Sequence, residues 1–266
     1  MSKEGFQFDA SQSHQVAAIE SVIGLFDGQP KDVPSVVTTF QSPPTEAGEL
    51  EGALDFDFSY EVGAIGNNLA LDRELILENL QRVQVKNGLE VDEELSGSAL
   101  DFDVEMETGT GKTYVYLRTV FELAKKYSFS KFVILVPSVA IREGVISSIR
   151  LMRDHFKNLY PDIPADASVY SGKTAEEVQS FATSTSLQIL IMTIDSIRGD
   201  ANSRVIRQTR DKLNGLRPID YLRATKPIVI MDEPQNMESL LSQSAVGDLN
   251  PTFTLRYSAL IKQNET

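Results

Sequence analysis

The stretch Phe102–Thr113 (FDVEMETGTGKT) decides the fold of this chain. It places a short apolar run, Phe102–Met106, directly before the glycine-rich segment Glu107–Thr113, and a helical pattern follows over Thr113–Tyr127. When a strand passes through a glycine-rich turn into a helix, the backbone N–H groups of the turn can surround a phosphate. The stretch therefore predicts a phosphate-binding loop inside an α/β domain.

The same pattern of an apolar run and a polar cluster recurs along the rest of the chain. The candidate strands are Phe102–Met106, Phe132–Val136, Leu187–Met192, Ile228–Met231 and Phe253–Tyr257, with a weaker one at Ser168–Tyr170. The helical patterns between them include Thr113–Tyr127 and Val139–Phe156. Strands that alternate with helices predict a mostly parallel sheet with helices on both faces. Ligands bind such sheets at the carboxyl ends of the strands, where all the polar clusters fall.

The N-terminal part of the chain has a less regular pattern. Helical spacing predicts one helix over residues 13–27 and a second over residues 72–86. Residues 41–61 hold six acidic residues and no lysine or arginine, which indicates a surface excursion with an edge strand at Leu54–Tyr60. We expect an N-terminal helical segment at 1–28, an acidic irregular insertion with one helix at 29–99, and the phosphate-loop lobe at 100–266.

Composition limits the class of protein. The 266 residues are 41% apolar and 24% charged, which is typical of globular domains. The net charge of −13 is unlike that of a nucleic-acid-binding module, so any contact with DNA must be local or shared with a larger protein. The lack of cysteine excludes disulfides and cysteine-ligated metals. We see no signal peptide and no run of about 18 apolar residues, and we expect a cytoplasmic protein with no membrane contact.

An acidic pair follows the run Ile228–Met231. In Asp232-Glu233-Pro234-Gln235, Asp232 is expected to hold Mg²⁺ and Glu233 to orient and deprotonate an attacking water. Alone, this would be an ordinary acidic turn after a strand. Together with the loop it predicts a site for ATP and Mg²⁺, in which Lys112 contacts the β- and γ-phosphates.

The loop contributes most of the predicted nucleotide contacts. The strict phosphate-loop pattern has a glycine where this chain has Met106, a position that helicase-type loops relax. Thr113 is expected to ligate Mg²⁺ together with Asp232. The predicted nucleotide-binding residues of the loop are Glu107, Thr108, Gly109, Thr110, Gly111, Lys112 and Thr113.

These motifs resemble a known series. ETGTGKT (107–113), VPS (136–138), TIDS (193–196), DEPQ (232–235) and RYSA (256–259) resemble motifs I, Ia, Ib, II and III of superfamily 2 helicases, in order. Longer stretches such as KFVILVPSVAIREGV (131–145) and NPTFTLRYSA (250–259) are similar to the Res subunit of type III restriction enzymes. The resemblance covers nearly the whole chain. It implies the first RecA-like lobe of an ATP-hydrolysing motor that moves on DNA.

The resemblance also implies roles for residues outside the loop. Gln15 matches the glutamine that reads adenine, with Phe8 as a stacking partner for the base. The positions that match contacts to the DNA backbone are Ser138, Arg142 and Thr193. The positions that link nucleotide state to DNA contact are Gln235 and Ser258. The competing interpretations are a solvated helix residue for Gln15 and a simple helix cap for a serine or threonine after a strand.

The chain departs from the family at two points. The family reads SAT at motif III, where this chain has Leu260 in place of the threonine. The family's nuclease motif ends in an acidic residue two positions before a lysine, and no lysine here has that neighbour. The partners implied are double-stranded DNA, a Mod-type methyltransferase subunit, a second RecA-like lobe and a nuclease domain, the last two not found before Thr266.

Two other functions stay open on the sequence. The first alternative is a generic P-loop ATPase unrelated to DNA. The second is a truncated nucleotide-binding fragment with little or no catalysis. Gln15 and the polar clusters after Val136 and Met192 argue against the first alternative, whereas nothing in the sequence separates the second from a working motor lobe.

Overall fold

A computed structural model describes residues 8–31, 35–40, 62–172, 176–199, 205–208, 213 and 216–259. The strands are β1 (Val36–Phe40), β2 (Val62–Gly66), β3 (Asp101–Met106), β4 (Lys131–Val136), β5 (Ala165–Val169), β6 (Leu187–Thr193), β7 (Ile228–Asp232) and β8 (Phe253–Ala259). The helices are α1 (Ser13–Gly24), α2 (Arg73–Lys86), α3 (Lys112–Tyr127), α4 (Val139–Leu159), α5 (Glu176–Thr183), α6 (Pro218–Ala224) and α7 (Leu240–Gly247). None of the helices that the structure describes has the length and apolar character required to span a lipid bilayer.

Six strands form one parallel sheet in the order β3-β8-β7-β4-β6-β5. β1 and β2 form a separate antiparallel pair. Since all six strands run the same way, their carboxyl ends lie along one edge, as predicted. The three central strands β7, β4 and β6 are buried along their whole length, which explains their unbroken apolar sequences.

Helices cover both faces of this sheet, which confirms the predicted α/β architecture. On β4, Phe132, Ile134 and Val136 pack into the core shared with α1, α3 and α4. The alternate residues Val133 and Leu135 pack into the core shared with α5, α6 and α7. The two cores follow from the two-residue period of a strand, which sends successive side chains to opposite faces.

The N-terminal helix shares the first of these cores. Phe26, just after α1, is fully buried and its ring stacks 4.2 Å from that of Phe253 on β8. It also meets Phe102 of β3 edge-on at 6.0 Å. The division at residues 28 and 99 stays a prediction, and the structure adds that α1 packs directly against the phosphate-loop lobe.

Three predicted elements differ by three residues at one end. α4 ends at Leu159, beyond the predicted Phe156. α1 ends at Gly24 because residues 25–28 form tighter turns, although the apolar spacing continues to Phe26. β5 spans Ala165–Val169 instead of Ser168–Tyr170. As the edge strand it has three exposed residues at its start, so no apolar run marks it. The predicted strand at Leu54–Tyr60 lies outside the described residues.

Candidate nucleotide-binding site

The predicted site residues lie in a row along the carboxyl edge of the sheet. Met106, the last residue of β3, pairs with Ala259 of β8, and Tyr257 of β8 pairs with Asp232 of β7. Further along, Val136 at the end of β4 pairs with Thr193 at the end of β6. The residues predicted to bind nucleotide thus occupy the β3–β7 part of the edge, and those predicted to contact DNA occupy the β4–β6 part.

The phosphate loop is a tight turn that requires its glycines. Gly109 and Gly111 have φ angles of 82° and 87°, which L side chains rarely adopt. The hydroxyl of Thr110 donates to the carbonyl of Glu107 at 2.6 Å and closes the turn. A Cβ at position 111 would lie 2.7 Å from Nε2 of Gln15, so that glycine also makes room for α1.

Gln15 lies against this loop. Its side chain is only 7% exposed, and Nε2 donates to the carbonyl of Thr110 at 2.9 Å. A ring nitrogen of the neighbouring His14 lies 3.4 Å from the same oxygen. A primary amide has a second N–H and a carbonyl oxygen, which suits a base edge that both donates and accepts. α1 therefore places the predicted adenine contact beside the predicted phosphate contacts.

Phe8 and Ala10 hold the segment before α1 on the neighbouring helices. The ring of Phe8 is parallel to that of Tyr114 at 6.2 Å and lies 5.4 Å from that of His155. The carbonyl of Ala10 accepts a hydrogen bond from Arg118 at 2.5 Å. The role of Phe8 as a stacking partner for the base stays a prediction. Sequence reasoning missed Arg118, because nothing local marks a contact between residues 108 positions apart.

Asp232 is the buried member of the acidic pair. Its side chain ends β7, is 7% exposed, and accepts a hydrogen bond on Oδ2 from the Tyr116 hydroxyl at 3.3 Å. Burial raises the pKa of Asp232, and the charge of Glu233 adds to that rise, whereas the Tyr116 hydrogen bond and the charge of Lys112 lower it. Lys112 is thus close enough to act on this carboxylate. A cation bound here would favour the charged form further.

Glu233 has a different environment from its neighbour. Its backbone is left-handed, with φ 57° and ψ 58°, and its N–H donates to the carbonyl of Tyr257 at 3.1 Å. Its carboxylate is partly exposed and lies 3.4 Å from the side-chain nitrogen of Asn236. A left-handed non-glycine residue is strained, and such residues concentrate at functional sites. The turn separates a buried carboxylate from a solvent-accessible one.

The residues predicted to contact DNA are not equally accessible. Ser138 is exposed, and its hydroxyl caps α4 by accepting from the Ile141 N–H at 3.3 Å. This helix cap is the interpretation that competes with a contact to DNA. Arg142 is partly exposed and pairs with Glu143 at 3.0 Å. Thr193 is buried and its hydroxyl lies 3.0 Å from that of Ser196. The structure therefore leaves the side chains of Ser138 and Arg142 more accessible than that of Thr193, whose hydroxyl contacts Ser196.

The two predicted coupling residues flank the acidic pair. Gln235 is exposed in the short turn after Glu233. Ser258 is partly exposed on β8 and pairs with Glu105 of β3, in the strand that separates the loop from Asp232. Their predicted role in coupling stays a prediction.

The described residues include no group of three or more His, Asp or Glu side chains that would hold a metal by themselves. Mg²⁺ keeps several waters and is usually held by one or two protein ligands together with the phosphates of a nucleotide. The hydroxyl of Thr113 and the carboxylate of Asp232 have the oxygen chemistry for this arrangement.

The fold and the site together define a class. A parallel sheet with helices on both faces, a glycine-rich loop at the start of α3 and an acidic pair at the end of β7 define a RecA-like P-loop domain of the helicase-like ATPases. The family model described as "Type III restriction enzyme, res subunit" matches residues 74–263, and the chain belongs to this family.

Curated relatives extend this similarity to the N-terminal helix. The chain is 27% identical to the EcoP15I Res subunit of Escherichia coli and 26% identical to the EcoPI Res subunit of Escherichia phage P1, in each case over 99% of this chain and 27% of the relative. It is 33% identical to the StyLTI Res subunit of Salmonella typhimurium strain LT2 over 60% of this chain and 18% of the relative. The chain thus spans 27% of the length of the first two relatives.

Proposed function

We propose that this chain binds ATP with Mg²⁺ at the carboxyl edge of its sheet and serves as the nucleotide-binding lobe of a DNA-dependent type III restriction motor. The observation that carries the proposal is that α1 and the end of β7, which are distant in sequence, both interact with the phosphate loop and the start of α3. Gln15 donates to Thr110, and the charge of Lys112 acts on the carboxylate of Asp232. These contacts support a site in which Gln15 contacts the base, Lys112 contacts the phosphates and Asp232 anchors the metal.

Each group has a distinct task in this proposal. The loop N–H groups and Lys112 hold the β- and γ-phosphates at the N-terminus of α3. Thr113 and Asp232 hold Mg²⁺, which supplies charge neutralisation at the phosphates. Glu233 orients the attacking water and accepts its proton, since its carboxylate is the accessible one.

DNA contact belongs to the other part of the edge. The exposed Ser138 and the partly exposed Arg142 are the candidates for phosphate contacts, and Thr193 contacts Ser196 in the turn after β6. Gln235 and Ser258 are the residues proposed to transmit nucleotide state. The proposed partners are double-stranded DNA, a Mod-type methyltransferase subunit, a second RecA-like lobe and a nuclease domain. Their support is family membership and the 27% of each relative's length that this chain spans.

Calorimetry with ATP and Mg²⁺ tests the proposal. The wild-type chain should bind ATP, and Lys112→Ala should abolish binding because it removes the charge that faces the phosphates. Lys125→Ala, near the other end of the same helix, is the matched control and should bind like the wild type. A folded wild-type chain that does not bind ATP would contradict the proposed function.

A further inference from the structure

Tyr116 has a buried hydroxyl beside the proposed metal site. The side chain is 0% exposed, and its hydroxyl donates to Oδ2 of Asp232 at 3.3 Å. Its ring packs edge-on against that of Tyr257 at 5.6 Å, which confines the hydroxyl between α3 and the strands β7 and β8. A buried hydroxyl without a partner would be costly, so its partners are part of why it is there.

Thr113 lies one turn before Tyr116 on α3. The two residues are three positions apart, a spacing that puts their side chains on one helix face. An ionised carboxylate only accepts, so the Tyr116 hydroxyl donates to Asp232 and its lone pairs are free to accept from Thr113. A Thr113 hydroxyl that donates to Tyr116 keeps its oxygen lone pairs for a cation.

We propose that Tyr116 is a positioning residue for the metal: its hydroxyl joins Thr113 and Asp232 and holds them in the arrangement that binds the Mg²⁺ of Mg·ATP. The inference rests on the proposed function. Residues that donate hydrogen bonds to metal ligands orient those ligands. Losing one such bond typically costs about 10- to 100-fold in metal affinity or activity. The matching feature here is a buried hydroxyl that is bonded to Asp232, one proposed ligand, and lies one helical turn from Thr113, the other.

Tyr257 supplies a matched comparison. It is also fully buried, and its hydroxyl lies 3.4 Å from that of Thr119, an uncharged partner. Tyr257→Phe therefore removes a buried phenol hydroxyl from the same packing without removing a bond to Asp232. A role of Tyr116 that was only structural would be shared by both tyrosines.

The experiment compares ATP affinity in Mg²⁺ with ATP affinity in EDTA, by calorimetry on the 266-residue chain. The ratio of the two affinities measures the contribution of the metal. In Tyr116→Phe this ratio should fall by about 10-fold or more, with affinity in EDTA unchanged. In Tyr257→Phe both affinities should match the wild type. Tyr116→Met, which also lacks the hydroxyl, repeats the comparison if the Phe variant does not fold.

The possible failures are distinguishable. If Tyr116→Phe keeps the wild-type ratio, or loses affinity equally with and without Mg²⁺, Tyr116 does not position the metal. A wild-type ratio of 1 would overturn the inference in the same way. If the folded wild type binds no ATP under either condition, the proposed function itself is wrong.

Discussion

Adjacent residues in one motif can have different chemistry when one side chain is buried and the other is accessible to solvent. Asp232 is 7% exposed and bonded to Tyr116, whereas the carboxylate of Glu233 is partly open to solvent. A buried carboxylate is stabilised most by a fixed cation, because water no longer screens the attraction. An accessible carboxylate can exchange protons with water. These environments support Asp232 as the metal anchor and Glu233 as the base.

Lys131 is a second residue whose properties come from burial. It lies at the start of β4, away from the carboxyl edge, and its side chain is 0% exposed. Nζ donates to the carbonyls of Phe181 at 2.6 Å and Ser184 at 2.5 Å, at the end of α5. These carbonyls favour the ammonium, but burial still lowers the pKa of Lys131 to about 8. The folded state therefore binds this proton less tightly than the unfolded chain does.

The first prediction concerns stability and pH. Below pH 8 Lys131 is protonated in both states, and the cost of burying its charge is fully present. Between the folded pKa of about 8 and the ordinary value of 10.5, the unfolded chain binds more protons, so this residue's contribution to stability increases with pH. We compare the free energy of unfolding of the wild type with that of Lys131→Met. The difference, wild type minus variant, should increase by about 2 kcal/mol between pH 8 and pH 9.5.

Urea unfolding of the two proteins across this pH range measures the difference. Groups common to both proteins cancel in the comparison, which leaves the effect of Lys131. A difference between wild type and Lys131→Met that does not change with pH would show that burial does not perturb this lysine.

At the scale of elements, α1 holds the proposed base contact, Gln15, against the proposed phosphate-binding loop. Gln15 is bonded to the loop, and the segment before the helix is bonded through Ala10 to Arg118 on α3. Phe26 anchors the other end of the helix on β8. Because the helix is fixed at both ends, we expect it to hold a base in one position rather than to tolerate several.

The second prediction is a preference for ATP over GTP that depends on Gln15. An amide that donates to and accepts from the adenine edge is mismatched with guanine, and such a pair is worth roughly 1–3 kcal/mol of discrimination. Gln15→Ala should remove the preference. His14→Ala is the control, since His14 lies near the same Thr110 carbonyl but is exposed, and it should keep the wild-type preference. Equal affinities of the wild type for ATP and GTP would count against the adenine role.

At the scale of the whole molecule, two features bear on turnover: the cations beside the proposed hydrolytic site and the net charge of the chain. The charge of Lys112 lowers the pKa of the Asp232 carboxylate. Arg256, the basic residue of β8, is paired with Asp103 and Glu238. The net charge of −13 opposes the binding of DNA on an open face.

The third prediction is that the 266-residue chain binds ATP but hydrolyses it slowly, with little stimulation by DNA and no cleavage of DNA. An arginine at the γ-phosphate is worth about 10³–10⁵ in rate in P-loop GTPases, and a second lobe would supply the corresponding group here. Adding such a lobe should restore DNA-stimulated turnover. Phosphate release measures this, and brisk DNA-stimulated activity of the 266-residue chain that is lost in Glu233→Gln would contradict it.

The class of fold and the motifs of the site could be predicted from the amino-acid sequence alone. The strand Phe102–Met106, the loop and the helix after it are neighbours in the chain, so composition and spacing identify them. The apolar runs of β4, β6 and β7 are visible because central parallel strands are buried on both faces. The edge strand β5 has no such apolar run, so its predicted start lay three residues too far along the chain.

Which side chains contact one another could be read only from the folded chain. The bond from Gln15 to Thr110 joins residues 95 positions apart, and that from Tyr116 to Asp232 joins residues 116 positions apart. The helical pattern assigned Tyr116 to α3, but it carried no information about its partner. Likewise, the motif around Thr193 did not show that this residue is buried. Local periodicity reports burial, whereas a contact between distant segments depends on strand order and packing, which the folded chain alone establishes.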